Sequence, residues 1–196
     1  MFTNAARTAV LAAAVASANV FVAQAVLAAP AVPAPQSATA GASQDATPVR
    51  KTSAWNLPKR EVKLAISGYD PVAYFPEGGG KATKGKSQFT AVHGGVTYRF
   101  ANDANRKRFV ANPNRYEAAH GGWCSFAIMS GDLVKVDAKN FIVKDDRLFL
   151  FYKGAFANAK NEWKKGDHNA NAERADGRWK QRSGESSRQV KAKPAT

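Results

Sequence analysis

At 196 residues and 21.0 kDa, with 44% hydrophobic, 22% charged and 10% aromatic residues, the chain has room for one packed domain with appendages. That excludes large multidomain machinery, and a single cysteine excludes an intramolecular disulfide and any zinc site built from several thiolates. The formal charge of +14 and the pI near 10.1 favour polyanions or anionic surfaces as neighbours and say nothing about fold.

The chain opens MFTNAARTAVLAAAVASANVFVAQAVLAAP, one basic residue followed by an uncharged run that ends in small residues. This pattern predicts a cleavable secretory signal peptide over 1–28, cut after Ala28, and therefore a periplasmic or secreted protein. A retained anchor is the rival, because a run of about 20 apolar residues can cross a bilayer, but alanine makes it a weak one. No cysteine follows the apolar run, so the protein is not expected to be a lipoprotein. Residues 29–58 are crowded with Ala, Pro, Ser and Thr and predict a mobile linker, while 181–196, QRSGESSRQVKAKPAT, predict a disordered basic tail. Nearly all the aromatics fall between them, which places the domain at 59–180.

Within the domain, VKLAI at 62–66 reads as a strand, and Asp70-Pro71 supplies a cap and a first helical residue for a short turn through PVAYF. QFTAVH and VTYRFA, joined by Gly94-Gly95, predict a tight hairpin. Asn102 or Asp103 caps a helix through ANRKRFVA that stops at Asn112-Pro113, and NRYEAAH restarts a shorter helical piece ending at Gly121-Gly122. NFIVK and RLFLFYK flank Asp145-Asp146 as a second hairpin. Phe156, Ala159 and Trp163, then Ala172, Ala175 and Trp179, recur at helical spacing and predict one or two closing helices. The pattern predicts an α+β fold, a small antiparallel sheet of two hairpins with helices packed on one face.

Three segments in order, LAISGYDPVAYF, YRFAN with ANRKRFVANPNRY, and HGGWCSFAI, resemble the YHS domain in its exported, stand-alone form. The similarity runs from about Lys59 to Trp179. It implies a small α+β fold commonly described as heavy-metal binding, and places Cys124 where some relatives carry selenocysteine. The chain departs from the pattern at His120, where many relatives have an aromatic, so a metal role for that histidine has to come from chemistry.

That chemistry centres on Cys124. If a helix starts near Trp123, the cysteine lies in its first turn, where free amides and the helix dipole favour the thiolate. His120 stands four residues earlier, across two glycines that either separate the side chains or fold them together. A thiolate with an imidazole suits copper or zinc, and the same sulfur is a redox candidate acting with a redox or metal-transfer partner, since the chain has no second cysteine. His93, Met129 and Asp70 are weaker candidates for a third ligand. Against these stand plainer readings: a noncatalytic interaction module whose basic surface holds a partner, with Cys124 as a small buried hydrophobe, His120 as a helix-end cap or a surface side chain, Met129 as core, Asp70 as a turn cap, and His93 and His168 as surface. No paired acids, nucleophile elbow or triad is legible, so an enzymatic role would rest on the cysteine alone. The dispersed lysines and arginines match no nucleic-acid module, and export points them towards an anionic envelope surface.

Overall fold

A computed structural model describes residues 52–59 and 62–187. The expected signal peptide, most of the linker and the end of the basic tail lie outside the described residues. Two hairpins form the β part. Strands β1 (Lys86–His93) and β2 (Val96–Phe100) turn at Gly94-Gly95, both at positive φ, and β3 (Asp137–Lys144) and β4 (Arg147–Phe151) turn at Asp145-Asp146, with φ of +52° and +57°. Five helices follow the caps and breaks in the sequence: α1 (Asp103–Ala111), α2 (Pro113–Tyr116), α3 (Ser125–Ile128), α4 (Ala159–Lys165) and α5 (His168–Ser183). Side chains of Asn102, Asn158 and Asp167 accept the first-turn amides of α1, α4 and α5. The fold is α+β with two antiparallel hairpins.

Each hairpin is a separate two-stranded sheet. The reason lies in β4, whose five residues are all buried. Leu148 and Leu150 join one apolar cluster with Val72, Tyr74, Phe75, Tyr98 and Phe109, while Phe149 and Phe151 join a second with Trp55, Ile128, Trp163 and Trp179. Side chains alternate across a strand, so RLFLF is the wall between two cores, and a continuous apolar run is what such a strand requires. Its free edge is taken by the segment after α2: Ala118 and Cys124 form parallel bridges to Leu148 and Leu150, and Ala119 N–H donates to Leu148 O at 2.9 Å. An edge occupied this way does not pair with the first hairpin.

Several expected elements change. VKLAI forms no strand; Leu64 makes one bridge to Thr97, and the chain then reverses through Ile66 and Ser67 at φ +47° and +51°. The helical piece after Pro113 ends at Tyr116, because Glu117 is extended and Ala118–Ala119 turn to the β4 edge. α4 starts only at Ala159, behind its Asn158 cap, so Phe156 falls outside the helix that its spacing predicted and is fully exposed. Order extends past both domain boundaries. Trp55 sits buried in the second core, and α5 runs to Ser183, beyond which Ser187 is buried.

Candidate functional site

Asp70 explains the GYDPVAYF motif. Its side chain is fully buried and accepts from Val72 N–H at 2.8 Å and Ala73 N–H at 3.3 Å, capping the short turn over Val72–Tyr74. Its other oxygen accepts from Ala101 N–H at 2.8 Å and Asn105 Nδ2 at 2.7 Å, tying the motif to the entrance of α1. With both oxygens engaged by neutral donors, Asp70 acts as a structural hub. His93 lies in the same half of the molecule, half-buried at the end of β1, its ring 6.3 Å from Phe109.

The HGGWCSFAI motif forms the other half. Gly121 and Gly122 take φ of +58° and +83°, and a Cβ on Gly121 would fall 2.6 Å from Trp179 Cη2 and 3.2 Å from Trp55. Only glycine meets both demands. Asn56 donates its backbone N–H to Gly121 O and its Nδ2 to Gly122 O, so the segment expected to be linker is clamped onto the glycines. Cys124 follows as the N-cap of α3, its N–H donating to Val134 O and its carbonyl accepting from Ile128 N–H, both at 3.0 Å. The cysteine therefore stands at a helix start, but the helix is one turn of four residues and sums few peptide dipoles. Cys124 is 1% exposed and packs within the second core, with half-buried Met129 against the same cluster.

His120 is buried and both ring nitrogens are engaged: Nε2 lies 3.0 Å from Asp176 Oδ1 and Nδ1 lies 2.9 Å from Ser125 Oγ. Arg147 donates to both oxygens of Asp176, at 3.0 and 2.6 Å, and to Ser187 Oγ at 2.7 Å, while Ser187 donates to Ala119 O at 2.6 Å. Burial alone would raise the Asp176 carboxyl, but the bonds from His120 and Arg147 outweigh it and hold it down to about 2. An ionised carboxylate only accepts, so His120 carries its proton on Nε2, and Nδ1 accepts from the Ser125 hydroxyl. Burial keeps the imidazole below its ordinary range, against the pull of Asp176.

Ser125, His120 and Asp176 thus follow the hydrogen-bond order of a hydroxyl, imidazole and carboxylate relay. Ser125, however, is 1% exposed, and Arg147 grips the carboxylate in two places. The arrangement fastens α5, β4 and Ser187 to the glycine motif. It is a brace, and sequence spacing gave no sign of it because Asp176 lies 56 residues from His120.

These placements decide the metal fit. Among the described residues no three His, Cys, Asp or Glu side chains stand together as a metal-holding group. Asp70 and His93 belong to the first core and Cys124, His120 and Met129 to the second, where the imidazole has no ring nitrogen left for a copper or zinc ion beside the thiol. The donors present do not fit a soft-metal centre. His168, read from sequence as surface, instead accepts from Trp163 Nε1 at 3.0 Å on Nδ1 and joins an aromatic cluster with Phe149.

One opening remains beside Cys124. A groove of about 660 Å³ runs between the start of α3 and the connection from β4 to α4. Cys124, Phe126, Ala127 and Val134 form one side and residues 152–159 the other, with Asn161 and Glu162 at the end. Its size is that of a small-molecule site, about 300–1,000 Å³. Glu162 is paired with Lys165 at 2.8 Å, so the acid at the rim is neutralised. Comparison with known proteins finds no matching family model, no matching curated protein and no matching solved structure.

Proposed function

We propose that the chain is an exported YHS-like binding module whose site is the groove over Cys124, and that it takes an apolar group of small-molecule size. The observation that carries this reading is the groove itself: an open apolar concavity whose lining includes the motif cysteine, in a half of the molecule otherwise tightly packed. The order of the three motifs supports the YHS-like assignment, and the opening run supports export. Cys124 then contributes a small polarizable surface to the site. A catalytic thiol would need a base beside it, and the base expected from sequence, His120, is already bonded on both sides.

The test is a titration of the protein with 1-octanol, followed by backbone amide shifts. Shifts concentrated at 124–127 and 152–162, and their loss in Ala157→Trp, which fills the groove from an exposed position, are expected. Shifts scattered over the molecule, or unchanged in the variant, overturn the reading. Copper titration addresses the metal expectation: this account predicts no stoichiometric site that Cys124→Ser removes.

A further inference from the structure

The same face carries a feature that the groove does not explain. β4 does not run straight into α4. Residues 152–159 form a small hairpin, with Lys153 bridged antiparallel to Asn158, Gly154 N–H donating to Ala157 O at 2.9 Å and Ala159 N–H donating to Tyr152 O at 3.1 Å. Ala155 and Phe156 are its tip. The stem is braced from inside: Asn140, 3% exposed, donates to Tyr152 O at 3.0 Å and to Asn158 Oδ1 at 2.9 Å, gripping both arms. What this brace holds out is a fully exposed phenylalanine, beside Tyr152, itself 39% exposed. A lone exposed apolar residue needs no account, but an aromatic on a buttressed tip, next to exposed Ala155 and Ala157, makes a contiguous apolar projection.

The charge around that projection is basic. Lys153 is exposed in the stem, and α4 begins at the hairpin's base with Lys160 and Lys164 one turn apart. At 1.5 Å per residue the seven residues of α4 span about 10 Å, which keeps both lysine backbones within that distance of the hairpin's base. The nearby acid, Glu162, is cancelled by Lys165. An aromatic point among lysines, on a chain of formal charge +14, matches the interface of an anionic bilayer, where the ring enters the headgroup boundary and the lysines meet phosphates.

We propose that the 152–159 hairpin is a membrane-docking element, with Phe156 inserted into the interface of an anionic lipid surface and Lys153, Lys160 and Lys164 among the headgroups. The docking does not depend on the groove being filled. The test is co-sedimentation of the full chain with phosphatidylglycerol–phosphatidylcholine vesicles and with pure phosphatidylcholine vesicles. Binding to the anionic vesicles only, lowered at least about fivefold by Phe156→Ala and about fivefold by Lys153→Ala, is expected. Val92→Ala, which removes an exposed valine from β1, leaves binding unchanged. No binding to anionic vesicles overturns the proposal, as does equal binding by Phe156→Ala, which would reduce the attraction to diffuse charge. A Phe156-dependent complex with an acidic protein, without vesicle binding, assigns the tip to a protein partner and also overturns it. Because the octanol titration uses no vesicles and the sedimentation no octanol, the two readings fail separately.

Discussion

Two carboxylates tie distant parts of the molecule together, fully buried Asp70 and partly buried Asp176, and they are solved in opposite ways. Asp70 is surrounded by neutral donors, three backbone N–H groups and the Asn105 amide, two of them within three residues along the chain. Asp176 is held by the Arg147 guanidinium and by His120, 29 and 56 residues away. The first arrangement is a local cap whose other oxygen reaches neutral donors 31 and 35 residues on, and the second is a charged brace with no local bond. Removing a partner from a buried ion pair leaves a charge stranded, whereas removing a cap leaves donors unsatisfied, so the two halves should respond to mutation on different scales.

Arg147→Met gives the largest expected effect, a loss of about 3–5 kcal/mol of unfolding free energy in urea, because Asp176 would remain ionised and half-enclosed. Asp70→Ala should cost less, about 3 kcal/mol, spread over several orphaned donors. If Asp70→Ala proves the more damaging, the contrast between brace and cap fails. A narrower test uses pH. The Asp176 carboxyl lies at about 2 against an unfolded value of 3.8, so its contribution is present above pH 3.8 and fades as the pH falls towards 2, a loss on the order of 2 kcal/mol. His120 acts in the same direction but earlier. Its folded value is depressed, so the unfolded chain takes up the proton first and stability begins to fall below about pH 6.5. Stability measured from pH 7 to 5 should therefore slope downward, and His120→Asn should flatten the part of that slope that His168, also depressed by burial, does not supply. The smallest effect belongs to Phe156→Ala, within about 0.5 kcal/mol in either direction, since the ring is fully exposed. A larger loss would mean that the tip is packed in solution.

The same contrast explains what could be read from the sequence. Asp70-Pro71, Gly94-Gly95, Asn102 and Asp145-Asp146 act on neighbours a few residues away, and each produced the turn or cap expected of it. RLFLF announced a strand, but that it divides two cores depended on what occupied its other edge. Trp55 in a segment rich in small residues, and Ser187 in a basic tail, looked uncommitted because their partners Gly121, Arg147 and Ala119 are distant in sequence. Phe156 misled through periodicity: its spacing with Ala159 and Trp163 is helical, yet the Asn158 cap comes between them. At the candidate site, sequence picked out Cys124 and His120 but paired them with each other. The structure pairs His120 with Ser125 and Asp176, and packs Cys124 into the second core beside the groove.

Whether that groove is a working site is tested most directly through its own sulfur. The rate of Cys124 alkylation by N-ethylmaleimide in the folded protein, measured with and without saturating 1-octanol, reports on who occupies the space beside the thiol. Alkylation slowed by octanol in the native chain, with that protection gone in Ala157→Trp, is the predicted result. A rate indifferent to octanol would contradict the account and leave Cys124 as an ordinary member of the second core.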